Sequence, residues 1–240
     1  MTIGRLYALG VGPGASDLIT VRAARLIGKL DVLYAPAGRK GGDSLALSIV
    51  REYLSPATTI RTCHFPMSAD GAEKEAVWDD IARQLTDEVA NGRQVGFITL
   101  GDAMLFSTWV FLLARIGRQP WLEIVPGVTS FAAIAACSGL PLAMEQQSLA
   151  IMPCTAPQAE LEQALKTHDC VVLMKVYGRF APVRALLARL NLFDHALLMA
   201  DASLPGEQLW RRLDQVDDDQ PLPYFSTILV NRQWHSGERP

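Results

Sequence analysis

Half of the 240 residues are hydrophobic, yet no run of about 18 consecutive apolar residues occurs, so no membrane-spanning helix is expected. The chain does not open with the basic and apolar regions of a secretory leader, and none is expected. Cysteine is scarce. Cys63, Cys137, Cys154 and Cys170 stand far apart, with no C-x-x-C pair and no histidine at metal-ligand spacing beside them. That spacing argues against a metal site and for reduced, mostly buried thiols in a cytoplasmic protein. A surplus of positive charge is also missing. The formal net charge is −3, and an acidic chain does not offer the basic face that phosphate contacts require, so nucleic acid is not an expected partner. The single charge run, Asp217-Asp218-Asp219, reads as a solvated turn.

What is present is an alternation of short β-rich runs with helical patterns, the mark of an α/β fold. Strands are expected at Leu6–Gly10, Asp31–Ala35, Thr59–His64 and Gln94–Leu100. Thr20 and Ser44 are placed to cap the helices that follow them. Val77, Ile81, Leu85 and Val89 recur every fourth residue and form one buried stripe on an otherwise charged helix. "STWVFLLARIG" closes this half, with Gly117 as its stop. After the polar break "GRQPW" the alternation resumes. Near the end, "LWRRL" and "YFSTILVN" lie close together without a helix between them, which predicts antiparallel strands. Two α/β domains, 1–118 and 119–240, follow from this reading, with a ligand cleft expected between them.

The loop after the first strand, "GVGPGAS", invites a nucleotide reading and does not satisfy one. A dinucleotide fingerprint needs G-x-G-x-x-G and an acid about 20 residues on. Here Gly10, Gly12 and Gly14 are spaced G-x-G-x-G, Pro13 removes a backbone donor, and the next strand ends "LYAPAG" without an acid. A P-loop lysine is missing too. Taken alone, the loop could be a tight strand-to-helix turn. Three further loops make a joint pattern with it. "TLGDAMLFST" carries Asp102 at a strand end, "VPGVTSFAA" offers Thr129 and Ser130 at a helix start, and "VLMKVYGR" places Met174 and Lys175 at another strand end. Ligands of open α/β sheets bind at such ends.

Together, "GVGPG", "LGDA", "PGVTS" and "VLM" resemble, in order and over essentially the whole chain, the motifs of the tetrapyrrole methylase family. "KGGDSLALSIV", "FPMSAD", "GDAMLFSTW", "PGVTSFAAIA", "VVLMKVYGRF" and "PYFSTILVN" are similar to one branch of it, the precorrin-2/cobalt-factor-2 C20-methyltransferases of cobalamin synthesis. Ala103 replaces the family's proline, and "GPGAS" lacks its loop acid, for which Asp17 is a displaced stand-in. The resemblance implies two α/β domains, a homodimer, and S-adenosylmethionine in the cleft, converted to S-adenosylhomocysteine. By position in the motifs it implies that Pro13, Leu100, Gly101, Asp102, Leu105, Thr129, Ser130, Met174, Ala202 and Thr227 surround that cofactor. Its substrate would be a tetrapyrrole octacarboxylate, for which Arg39, Lys40, Lys175 and Arg179 are the expected basic contacts, each set against an ordinary solvated charge.

Methyl transfer from a sulfonium to carbon is an in-line displacement in which placement dominates. Holding both reactants at near-attack distance supplies roughly 7–11 kcal/mol. A carboxylate about 4 Å from a cation is worth on the order of 4 kcal/mol at an effective dielectric of 20. The sulfonium charge disperses as the methyl leaves, so such a pair favours the ground state. Asp102 is therefore expected to serve binding. Tyr177 is the candidate proton acceptor or orienter at the C20 meso carbon, weighed against a buried structural tyrosine. The rival readings are another methylase of the same family, a non-catalytic tetrapyrrole carrier, and a nucleotide enzyme.

Overall fold

The computed structural model describes residues 3–37, 44–65 and 71–234. Arg39 and Lys40 lie outside them. The chain divides into two units, Met1–Thr129 and Ser130–Pro240, so the division falls after Thr129 and not at 118/119. The reason is a strand pairing that the polar break conceals. The strand following "GRQPW" hydrogen-bonds to the first strand of the chain and so belongs to the first unit.

In the first unit the elements run β1 (Arg5–Gly10), α1 (Val21–Ile27), β2 (Val32–Ala37), α2 (Leu45–Val50), β3 (Thr59–His64), α3 (Gly71–Ala90), β4 (Gln94–Thr99), α4 (Trp109–Ile116) and β5 (Leu122–Val125). The sheet is parallel throughout, in the order β3-β2-β4-β1-β5. Helices cover both faces, as a parallel sheet demands. Leu6 and Ala8 of β1 point into a core with Ile81 and Leu85 of α3 and Trp109 and Leu112 of α4. Tyr7 and Leu9, alternate by the pleat, join Ala23 and Ile27 of α1 and Ile49 of α2. The expected caps are present: Thr20 Oγ1 accepts the Ala23 N–H at 3.2 Å and Ser44 Oγ that of Leu47 at 3.3 Å. Gly117 closes α4 at φ +71°, a left-handed stop that glycine adopts at no steric cost.

The second unit contains α5 (Ser130–Ser138), β6 (Leu149–Pro153), α6 (Gln158–Thr167), β7 (Cys170–Met174), α7 (Phe180–Arg189), β8 (Ala196–Ala200), β9 (Gln208–Trp210) and β10 (Ser226–Asn231). Its sheet is mixed, in the order β6-β7-β10-β8-β9. The expected antiparallel strands are there, but not as each other's partners. β10 inserts between β7 and β8, antiparallel to both, and β9 pairs with the outer edge of β8. Leu161 and Leu165 of α6 and Val183, Leu186 and Leu187 of α7 pack with Leu173, Leu198 and Ile228 of the sheet. Cys63, Cys154 and Cys170 are buried and Cys137 is exposed, all as free thiols. Burial raises the Cys63 thiol to about 11 and that of Cys154 to about 12. Asp217–Asp219 is exposed, as expected of a solvated turn.

Candidate functional site

The sheet order of the first unit sets β1 between β4 and β5, so the loops leaving these three strands are neighbours at the carboxyl edge. These are the glycine loop, the Asp102 loop and the "PGVTS" turn. They interlock through their backbones. Gly12 and Gly101 exchange hydrogen bonds, at 3.2 Å from the Gly12 N–H and 2.7 Å from the Gly101 N–H, and Val11 N–H donates to the Thr99 carbonyl at 2.9 Å. A Cβ on Gly127 would stand 2.1 Å from the Gly101 carbonyl oxygen, and one on Gly10 2.6 Å from the Gly127 nitrogen. Only residues without a side chain allow three main chains to approach this closely.

Asp102 fastens two of these loops, its own and the one after β5. One carboxylate oxygen accepts the Met104 N–H at 2.8 Å, within its own loop, and the other accepts the Gly127 N–H at 2.8 Å, across to the β5 loop. Both are charge-assisted bonds, roughly twice as strong as neutral ones. The family resemblance implies a cofactor contact for Asp102. In the fold each of its two oxygens accepts a backbone N–H, which ties the β4 loop to the β5 loop.

Around this staple, Pro13 is buried and Leu100, Gly101, Leu105, Thr129 and Ser130 are half-buried. Gly101 sits at φ +68° with nothing nearer to a Cβ position than the Val128 carbonyl at 4.0 Å. The Thr99 hydroxyl, at the end of β4, is buried with no hydrogen-bond partner among the described residues. Asp17 is exposed, in a short 3-10 turn at Ser16–Leu18. Open space over a left-handed glycine, half-buried apolar walls and an unsatisfied hydroxyl suit a small molecule lying against main chain.

In the second unit, antiparallel insertion of β10 places its start beside the carboxyl ends of β7 and β8. Ile228 pairs with Leu173 and Ser226 with Ala200. Val176 N–H donates to the Ser226 carbonyl at 3.4 Å and Asp201 N–H to that of Phe225 at 3.0 Å. Met174, Thr227 and Ala202, far apart in sequence, thus share one sheet edge. Met174 is half-buried, whereas Thr227 and Ala202 are buried. Lys175 and Arg179 are exposed on the same edge. Tyr177 is 56% exposed, which overturns the buried structural tyrosine: "VYGR" turns outward after β7, with Gly178 at φ +70°.

Sequence reasoning missed Asp201 and the pair Tyr224–Phe225. Asp201 follows β8 at φ +51°, and its carboxyl has no hydrogen bond or ion pair among the described residues. Burial raises its pKa. An acid at a strand's carboxyl end was the signal, the same one that singled out Asp102. Backbone strain gathers at this class of position. Phe106, Lys175, Asp201 and Ser203, all in loops at carboxyl ends of strands, have positive φ without being glycine, a feature that clusters at functional sites.

A parallel unit with interlocked glycine loops, followed by a mixed-sheet unit whose strand ends carry the remaining candidates, defines the class. Residues 5–217 match the model of the Tetrapyrrole (Corrin/Porphyrin) Methylases, and the chain belongs to that family. Among its relatives, the cobalt-precorrin-2 C(20)-methyltransferase of Salmonella typhimurium is 71% identical over 235 residues, 98% of this chain and 99% of that one. The fold is shared with a cobalt precorrin-4 methyltransferase (TM-score 0.74, 22% identity, 95% and 94% of the two chains). It is shared also with the uroporphyrin-III C-methyltransferase of Thermus thermophilus, solved with S-adenosylhomocysteine (TM-score 0.66, 24% identity, 95% and 97%).

Proposed function

We propose that the protein is an S-adenosylmethionine-dependent methyltransferase acting on C20 of a cobalt-precorrin-2-type tetrapyrrole in cobalamin biosynthesis. The observation that carries this reading is the 71% identity, end to end, with the Salmonella enzyme of that name. No described helix is long and apolar enough to cross a membrane, in keeping with a cytoplasmic biosynthetic enzyme, and the partner expected by family resemblance is a second copy of the chain.

When bound, S-adenosylmethionine supplies the methyl group from its sulfonium. The chain supplies placement. The Gly12–Gly101–Gly127 contact holds three loops at one spacing, and Asp102 ties its own loop to the Gly127 turn by accepting the Met104 and Gly127 N–H groups. Thr129, Ser130 and the Thr99 hydroxyl offer polar contacts, and Pro13, Leu100 and Leu105 apolar ones. Met174, Ala202 and Thr227 of the second unit are assigned cofactor contacts as well, Met174 through its polarizable thioether. Lys175 and Arg179 are assigned to substrate carboxylates, as are Arg39 and Lys40, which lie outside the described residues. Such preorganisation serves a displacement whose rate falls by orders of magnitude when the reactants are misplaced.

The test is turnover with isotopically labelled methyl donor on cobalt-bearing and metal-free substrate, read by mass spectrometry and by NMR of the product. One label at C20, with faster turnover of the cobalt form, is the expected result. A label at another carbon refutes the C20 assignment and leaves the methyltransferase in place.

A further inference from the structure

The second unit exposes three large aromatic rings side by side. Tyr177 is 56% exposed, Tyr224 57% and Phe225 40%. They touch one another: the Tyr177 and Tyr224 ring centroids are 5.9 Å apart, and Tyr224 meets Phe225 edge-on at 5.0 Å. Two of them immediately precede β10 and the third follows β7. The Val176–Ser226 and Asp201–Phe225 backbone bonds bind these segments at the edge that carries Met174 and Thr227. Isolated exposed apolar residues are ordinary, whereas a contiguous aromatic patch marks a binding surface.

The charges at its border narrow the occupant. Arg179, two residues beyond Tyr177, is exposed and makes no ion pair among the described residues. Lys175, two residues before it, is exposed and held at φ +58°. An apolar face bordered by cations is complementary to a flat conjugated ring whose periphery bears carboxylates.

We propose that Tyr177, Tyr224 and Phe225 form the seat for the flat face of the tetrapyrrole macrocycle, with Arg179 and Lys175 meeting its peripheral carboxylates. The proposal rests on the methyltransferase reading and assigns the substrate to particular residues. It gives Tyr177 a stacking role through its ring in place of proton transfer through its hydroxyl. Tyr224 and Phe225 become specificity-determining residues.

The test titrates uroporphyrin III, a stable tetrapyrrole octacarboxylate, into the full chain and follows its absorbance. S-adenosylhomocysteine affinity is measured in parallel by calorimetry, and mass by light scattering. Replacing both Tyr224 and Phe225 by alanine is expected to weaken uroporphyrin III binding about tenfold or more, with S-adenosylhomocysteine affinity and mass unchanged. Tyr177→Phe and Tyr224→Phe, which keep the rings, are expected to bind as the unaltered chain does. Arg179→Ala is expected to weaken binding at low salt and less so at high salt. Unchanged uroporphyrin III affinity in the double alanine variant overturns the seat and spares the methyltransferase reading. A halved mass with unchanged uroporphyrin III affinity assigns the rings to an interface between copies and also overturns it. Should the unaltered chain bind S-adenosylhomocysteine but no uroporphyrin III, the tetrapyrrole reading falls and the seat with it. A kcat loss in Tyr177→Phe at unchanged KM would return Tyr177 to proton transfer.

Discussion

Asp102 and Asp201 show how one residue type does two kinds of work at strand ends. Asp102 spends both oxygens on backbone amides of two loops. Asp102→Ala removes two charge-assisted bonds, each worth about 1.5–3 kcal/mol, and frees the Gly127 turn. The expected outcome is S-adenosylhomocysteine affinity reduced by about tenfold or more, with a single-turnover rate at saturating donor close to that of the unaltered enzyme. Intact affinity with a collapsed single-turnover rate would falsify this binding role. Asp201, by contrast, is desolvated, and its pKa is raised above the ordinary 3.8. The folded state therefore retains a proton that the unfolded state has released, and stability falls as pH rises from 3.8 through the folded value. Asp201→Asn removes that loss and tolerates the left-handed backbone. Its melting temperature is expected to equal or exceed that of the unaltered chain at pH 7, with the advantage gone near pH 3.5. A lower melting temperature at pH 7 would reveal a stabilising contact for the carboxylate.

At the scale of elements, the four-residue stripe on α3 illustrates what periodicity delivers. Ile81, Leu85 and Val89 are buried against β1 and α4, and Val77 is partly buried at the start of the contact. Leu85 is fully enclosed, so Leu85→Ala should cost about 2–5 kcal/mol, the range for a buried leucine replaced by a cavity. Val77→Ala should cost clearly less, and urea unfolding of the two variants compares them. Equal losses would show that the stripe is enclosed evenly along its length. On the outer side of α3, Asp79 and Glu75 pair with Arg115 of α4, which also lies over the Trp78 ring. Trp78 in turn stacks on Phe111 at 4.3 Å. These are side-chain contacts between residues more than 30 positions apart on two different helices, and no period within either helix announces them.

For the molecule as a whole, the family resemblance implies a pair of chains, and light scattering at micromolar concentration is expected to give twice the 26.2 kDa chain mass. A monomer mass would count against that expectation without touching the methyltransferase reading. Net acidity and local basicity coexist here without contradiction. The chain carries −3 overall, yet Lys175 and Arg179 stand together at one sheet edge, and the field a bound carboxylate feels is set by charges within about a Debye length.

Sequence by itself determined the local elements and the family. Caps at Thr20 and Ser44, the stop at Gly117 and the α3 stripe are legible because they depend on neighbours within four residues, where backbone geometry dictates which side chains meet. The motif order was legible for a similar reason, since glycine, proline and acidic positions in turns are fixed by local φ and by close approach. Tertiary structure alone decided the rest. It assigned β5 to the first sheet and set β10 between β7 and β8, because strand partners are chosen by hydrogen bonds and burial between segments far apart in the sequence. The same long-range pairing set the Asp102 carboxylate on the Gly127 N–H. It also set Tyr224 and Phe225, separated by almost fifty residues from Tyr177, against that ring at a single edge.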